Sequence, residues 1–193
     1  MRMLLVSVAV ILMLGCTASP GGSKLEFVGT DVSGAGFGKD FLLTDHSGKP
    51  RRLTDFRGKV VALFFGYTHC PDVCPATLAD LAQAVKLLGE RGKDVQVLFV
   101  TLDPERDTPQ VLAKYVPSFN PGFLGLSGDA ETTARTAQDF KVFFSKQVSN
   151  SRAGYLIDHS AGVYVFDKKG ELRLFVNFGQ KAKDIAHDLD LLI

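Results

Sequence analysis

Two short runs constrain this chain more than anything else in it. Residues 60–65 (VVALFF) and 95–100 (VQVLFV) are rich in β-branched and aromatic side chains, and the first contains no polar residue. A strand without a polar side has no face to give to water. It must be covered above and below, as strands are in a parallel sheet flanked by helices. Between the runs, Leu78, Leu81, Val85 and Leu88 recur at helical spacing, while Asp80, Gln83 and Lys86 take other faces. The unit reads strand–helix–strand, with a right-handed crossover expected.

Downstream the pattern continues as one α/β domain. Thr108 before Pro109 predicts a helix start, because Thr caps well and Pro is tolerated at the first helical position. Residues 123–126 predict a short strand, and 129–140 a helix capped by Asp129 or Ser127. Residues 163–166 and 172–176 predict two strands joined by a hairpin turn over 167–170. Ile185, Leu189 and Leu192 predict a terminal amphipathic helix, and residues 24–59 read as an irregular lead-in with a strand near 41–43 and a turn at 46–48. The 193 residues suffice for one self-sufficient core plus an appendage. Setting Arg2 aside leaves 21 of the 22 basic residues against 21 acidic ones, with no basic block, which argues against nucleic acid as a partner.

The appendage is N-terminal. Residues 3–14 (MLLVSVAVILML) are apolar except for Ser7 and follow Arg2. The run is too short for a comfortable membrane span and suits a signal-peptide core. It stops at Leu14-Gly15-Cys16, and residues 17–23 (TASPGGS) are polar and turn-rich. An apolar core ending in Gly-Cys resembles the lipobox of bacterial lipoprotein signals, with Met13 where that family usually has Leu. The resemblance implies a signal peptide over 1–15, a lipidated Cys16 with a flexible tether over 16–24, and a folded body over 25–193. It places that body outside the cytoplasm, on the periplasmic side of a bacterial cell envelope, anchored to a membrane by lipid. The alternatives are an uncleaved membrane anchor or a plain secretory signal with an incidental Cys.

The chemistry is concentrated after the first buried run, in Gly66-Tyr67-Thr68-His69-Cys70-Pro71-Asp72-Val73-Cys74-Pro75. Carboxyl ends of parallel strands are where open α/β sheets place ligands. Pro75 fits the first turn of the following helix, which puts Cys74 at or beside the N-cap and Cys70 on the turn before it. The positive end of a helix favours thiolate over thiol, and thiolate is the form that binds metal and attacks disulfides. Three readings of the pair compete. Free Cys is often an inert core residue, but two prolines and an aspartate make a poor apolar core. A permanent structural disulfide would close a very short loop, where the entropic gain is smallest. Redox or metal chemistry is the third. Structural zinc needs four Cys or His ligands, which this body lacks the cysteines to provide. Two thiolates and an imidazole suit copper better.

Four histidines are available. His187 falls on the wet face of the terminal helix, and His46 lies in a turn signal at the surface. His69 adjoins Cys70, but neighbours on an extended turn tend to point apart. His159 stands in Leu156-Ile157-Asp158-His159-Ser160, in a loop that could face the cysteines, with Asp158 beside it to orient an imidazole or cap a turn.

Taken together, Tyr67-Thr68-His69-Cys70-Pro71-Asp72-Val73-Cys74-Pro75, then Thr101-Leu102-Asp103-Pro104-Glu105-Arg106-Asp107-Thr108-Pro109, then Asp158-His159-Ser160 resemble the Sco/SenC family in order and spacing. The resemblance covers residues 25–193. It implies a thioredoxin-like fold, a central mixed β-sheet flanked by helices. It implies one copper ion per chain held by Cys70, Cys74 and His159, with Cys70 and Cys74 also able to form a redox-active disulfide. His69, Asp72 and Asp158 then neighbour the ligands without ligating. Disulfide oxidoreductases of this fold carry C-x-x-C and a cis-proline before the next strand. Here three residues separate the cysteines, and the stretch 158–162 has no Pro. The absence of a Thr-x-x-Cys pattern argues against a peroxiredoxin, since Thr68 is two before Cys70 and not three. Asp103, Glu105, Arg106 and Asp107 are read as organising a loop, with docking as a second use.

The functional expectation is a metallochaperone rather than an enzyme. It would deliver copper to the copper-bearing subunit of a cytochrome c oxidase during assembly, receiving copper or electrons from other copper chaperones or thiol–disulfide reductants. Two alternatives remain: a thiol–disulfide oxidoreductase that reduces the oxidase's copper-site cysteines, and a copper or redox sensor.

Overall fold

The computed structural model describes residues 25–148 and 154–193, so the leader, Cys16 and the tether lie outside the described residues. The elements in chain order are β1 (Thr30–Asp31), β2 (Leu43–Asp45), β3 (Pro50–Arg51), β4 (Val60–Gly66), α1 (Val73–Leu87), β5 (Val95–Thr101), α2 (Pro109–Tyr115), β6 (Leu124–Ser127), α3 (Ala130–Asp139), β7 (Phe144–Val148), β8 (Tyr155–His159), β9 (Gly162–Phe166), β10 (Leu172–Asn177) and α4 (Ala182–Asp190). Eight strands form one mixed sheet in the order β1-β10-β9-β4-β5-β6-β2-β3. β4, β5 and β6 are parallel, and β9 runs antiparallel to β4.

The two apolar runs are the centre of the sheet. Every residue of β4 is buried. Because strand side chains alternate, Val60, Ala62 and Phe64 enter one core with Leu78 and Leu81 of α1 and Ile185 and Leu189 of α4. Val61, Leu63 and Phe65 enter a second core with Phe41, Phe56, Ala137 and Phe140. Thr108 caps α2 through its side chain, with Pro109 at the first helical position, and Asp129 rather than Ser127 caps α3.

The lead-in departs from expectation. Its strand is β2 at 43–45, not 41–43, and Phe41 is a core residue instead. Nor is the segment a loose preface, since β1 and the β2–β3 pair extend opposite edges of the main sheet. The turn at 46–48 exists because the Asp45 carboxylate accepts from Ser47 N and Oγ, Lys49 N and Arg51 Nε. Burial would raise this carboxyl, but those hydrogen bonds hold it well below the usual carboxylate range. His46, expected as a surface residue, is half-buried, and its Nδ1 accepts from Gly125 N at 3.0 Å, joining the lead-in to β6. His187 is exposed, as its place on the helix required.

The second departure is a hairpin. β7 and β8 pair with each other and form a separate two-stranded sheet among the described residues. His159, expected in a loop, is the last residue of β8. No described helix is long and apolar enough to cross a membrane.

Leu81 is fully buried between α1 and the sheet. Leu81→Ala is expected to destabilise the fold by about 2–5 kcal/mol, measured by denaturant titration, with the secondary structure of the native state unchanged.

Candidate metal centre

The site is built where β4 and β5 end side by side, Gly66 being paired with Thr101. After Gly66 the chain turns through residues 67–72 into α1. Cys74 lies in the first turn of that helix and is fully buried, while Cys70, on the turn before it, is half-buried. Gly66 makes room for this packing. A Cβ there would stand 2.8 Å from Cys74 Sγ and 2.9 Å from Phe99 Cε2, closer than side chains approach.

Asp72 occupies the N-cap position of α1, yet its side chain makes no capping hydrogen bond and it is exposed. The sulfur of Cys70 takes that place, accepting from Cys74 N at 3.4 Å. An anion is favoured at a helix N-terminus by the unpaired N–H groups and the dipole. The Cys70 thiol is accordingly held far below its ordinary value, first by the hydrogen bond from the Cys74 thiol and then by the N–H groups of Asp72 and Cys74, with burial opposing. Cys74 is pushed up, because its proton is held by Cys70 and because it is buried. The thiolate-prone sulfur is therefore Cys70, with Cys74 as the protonated partner beneath it. Asp72 acts through its backbone and not its carboxylate.

His159 completes the cluster from a segment 85 positions away, with Nε2 3.5 Å from Cys74 Sγ. Its Nδ1 lies 3.0 Å from the Ser160 carbonyl oxygen. A carbonyl can only accept, so Nδ1 carries the proton and Nε2 presents its lone pair to the sulfurs. That is the tautomer a metal ligand needs. The imidazole stands edge-to-face against Tyr67 at 6.0 Å and near Phe64 at 6.3 Å. Tyr67 also receives the Ile157 N–H on its hydroxyl at 3.2 Å, tying β8 to the cysteine turn. Asp158, read as orienting an imidazole or capping a turn, is exposed, and it is the Ser160 carbonyl that meets the His159 ring. His69 is exposed and bonds to Thr68 Oγ1, with Nδ1 3.8 Å from Asp107, so it stays outside the cluster.

The loop over 103–107 does what its four charged residues suggested. Asp107 is fully buried. It accepts from Thr68 N at 2.9 Å, Thr68 Oγ1 at 2.5 Å and Thr101 Oγ1 at 2.6 Å. A carboxylate at the end of β5 thus pins the turn that carries Cys70. Sequence reasoning placed these residues in a loop but did not find their partners, Thr68 and Tyr155. The turn-rich Asn150-Ser151-Arg152-Ala153-Gly154 between two short β-prone stretches was the available signal for the hairpin.

Cys70 Sγ, Cys74 Sγ and a His159 ring nitrogen all lie within 4.8 Å of one another. No disulfide joins the two cysteines. Two thiol sulfurs and one imidazole nitrogen, with the nitrogen already in its ligating tautomer, fit a soft, low-coordinate ion such as copper. A closed tetrahedral zinc site would need a fourth donor.

The sheet and site together define a thioredoxin-like protein whose reactive turn faces an imidazole. The SCO1/SenC family model matches residues 30–193, and the chain belongs to that family. It is 43% identical over 153 residues to the mitochondrial SCO2 homolog of Bos taurus, an alignment covering 78% of this chain and 56% of the relative, so the chain spans little more than half the length of that relative. Among solved structures, copper-bound ScoI of Bradyrhizobium japonicum superposes with a TM-score of 0.75 at 35% identity, covering 81% of this chain and 99% of the other. Apo Sco1 of Thermus thermophilus gives 0.74 at 40% identity, covering 89% and 100%.

Two outcomes follow from this geometry. Gly66→Ala is expected to cost about 1–3 kcal/mol of stability through overpacking against Cys74, read by thermal melting, and to weaken metal binding. In the reduced metal-free protein, the alkylation rate of Cys70 is expected to be flat between about pH 6 and pH 8, since its thiolate already predominates there, while Cys74 stays unlabelled. Peptide mapping of the alkylated sites checks this.

Proposed function

We propose that this chain is a copper chaperone. It carries one copper ion on Cys70, Cys74 and His159 and delivers it to the copper site of a haem–copper (cytochrome c) oxidase during assembly. The observation that carries the reading is the convergence of these three donor atoms within 4.8 Å at the end of the sheet. The relatives support the choice of metal, since the Bradyrhizobium japonicum and yeast proteins were solved with copper bound. The oxidase as acceptor comes from the family's link to its assembly. Copper is cargo here, so the site must let go of it. Three donors, one on a half-buried turn, one at the start of α1 and one on a hairpin, leave room for acceptor ligands to replace them one at a time.

The proposal includes the anchor. The lipobox-like leader supports lipidation of Cys16 and a place on the periplasmic side of a bacterial envelope. Thr30 and Asp31 pair antiparallel with Phe175 and Leu174, so the chain enters β1 from the end of β10 where Asn177 pairs with Gly162, three residues past His159. Val28 and Gly29 are held there by the buried carboxylate of Asp188. A tether over 16–24 reaches at most about 30 Å, which would keep the metal-bearing end near the membrane surface, where a membrane-embedded oxidase presents its own copper site.

A second reading rests on the unequal cysteines. Cys70, thiolate and half-exposed, has the properties of an attacking sulfur, and buried Cys74 those of a resolving one. Cys70 would attack a target disulfide, forming a mixed disulfide and releasing one target thiolate. Cys74 would then pass its proton to that thiolate and attack the Cys70 sulfur, breaking the mixed disulfide and releasing the second thiolate. The target gains two electrons, and the Cys70–Cys74 disulfide is left.

The two readings separate cleanly in the full chain. A chaperone is expected to bind one copper per chain, to lose it in Cys70→Ala or Cys74→Ala, to bind it more weakly with an altered spectrum in His159→Ala, and to transfer it stoichiometrically to the apo oxidase subunit. Unchanged affinity and spectrum in His159→Ala would overturn it. Reduction of the subunit's disulfide by metal-free protein, undiminished in His159→Ala, would establish the reductase instead.

A further inference from the structure

The hairpin that brings in His159 is held by no strand of the main sheet among the described residues. Its β8 strand is fixed from one face, where Tyr155, Ile157 and His159 alternate. Ile157 is buried in the core beside Tyr67. Tyr155, four residues before the imidazole, is gripped by the 103–107 loop. Its hydroxyl donates to Asp103 Oδ1 at 2.7 Å, and its carbonyl accepts from Arg106 Nη1 at 3.1 Å. The Arg106 guanidinium carbon stands 3.6 Å from the centroid of the Tyr155 ring, and its Nε pairs with Asp103. Asp103 is fully buried and is anchored in turn by donating its N–H to Thr101 Oγ1 at 2.9 Å. An exposed pair, Lys146 of β7 with Glu105, spans the same two elements at 2.8 Å. Exposed pairs contribute little, whereas a hydroxyl bonded to a buried carboxylate beside a guanidinium belongs to the stronger class.

The same short loop therefore holds both halves of the metal cluster. Asp107 grips the cysteine turn through Thr68, and Asp103 with Arg106 grips the histidine strand through Tyr155. The geometry points to Tyr155, clamped by Asp103 and Arg106, as a positioning residue for His159: this latch holds the hairpin over the cysteine turn and sets how fully the imidazole enters the metal's coordination. The inference rests on the copper reading given above and concerns residues that do not themselves touch the ion.

The test is a double-mutant cycle in the full chain in detergent. It uses copper salts as the probe, with affinity from chelator competition and ligation from the copper(II) absorption and spin-resonance spectra. Tyr155→Phe keeps the ring against Arg106 and removes only the hydroxyl. It is expected to weaken copper about tenfold and to move the spectra part of the way toward those of His159→Ala. In the His159→Ala background the same change is expected to have no further effect. Arg106→Lys, which keeps the charge beside Asp103 but loses the planar stack and the carbonyl bond, is expected to behave alike and provides the second route if Tyr155→Phe does not fold. A silent Tyr155→Phe, or the same loss in both backgrounds, overturns the latch. Identical copper binding by wild type and His159→Ala overturns the copper reading itself, and the latch with it.

Discussion

Three donor atoms from two distant stretches of chain must meet at one point, and the rest of this structure is arranged around that demand. Cys70 and Cys74 are placed by a single turn. The imidazole comes from 85 residues later, and its Nε2 reaches 3.5 Å from Cys74 Sγ. The alignment depends on a modest contact, the Nδ1–H of His159 on the carbonyl of its own neighbour Ser160. That bond fixes the tautomer and aims the free lone pair inward. Were the proton on the other nitrogen, the same ring in the same place would offer the sulfurs a donor and could not ligate.

Electrostatics prepare the sulfurs unequally. A thiolate is stabilised where backbone N–H groups converge, and at the start of α1 they converge on Cys70, since the Asp72 side chain at the N-cap position makes no capping hydrogen bond. Cys74 lies one layer deeper and keeps its proton. Two buried carboxylates hold the frame. An unpaired carboxylate taken fully out of water would cost several kcal/mol. Asp107 offsets this with three hydrogen bonds and Asp103 with Arg106 and the Tyr155 hydroxyl. Asp107 thereby ties the cysteine turn to β5, and Asp103 ties the hairpin to the loop that follows that strand.

Much of this was legible beforehand, for physical reasons. A strand without polar residues has few places to go, so β4 and β5 could be read from composition and spacing. Thr108 with Pro109 and Asp129 announced their helices because capping chemistry is local. The sulfur pair was equally local. What escaped reading was long-range. Of the two edges added by the lead-in, the β2–β3 edge depends on Asp45 closing a turn and on His46 bonding across to Gly125, and the β1 edge on Asp188 holding Val28 and Gly29. The hairpin of β7 and β8 is short and partly exposed, and its strands have little of the alternation that marks a half-buried strand, so His159 read as a loop residue. Asp158 looked like the natural orienting group because it is adjacent in sequence. On a strand, adjacency places side chains on opposite faces, and the backbone carbonyl took the role. Resemblance to a family supplied the pairing of His159 with the cysteines. Spacing alone left it open.

Among the described residues, the donor set proposed for the ion is two sulfurs and one nitrogen. X-ray absorption of the full chain loaded with one equivalent of copper(I) tests it most directly. The account expects a first shell of two sulfur scatterers and one imidazole nitrogen, with the nitrogen shell absent in His159→Ala. A wild-type spectrum with two sulfurs alone, or with a shell dominated by nitrogen and oxygen, would contradict it.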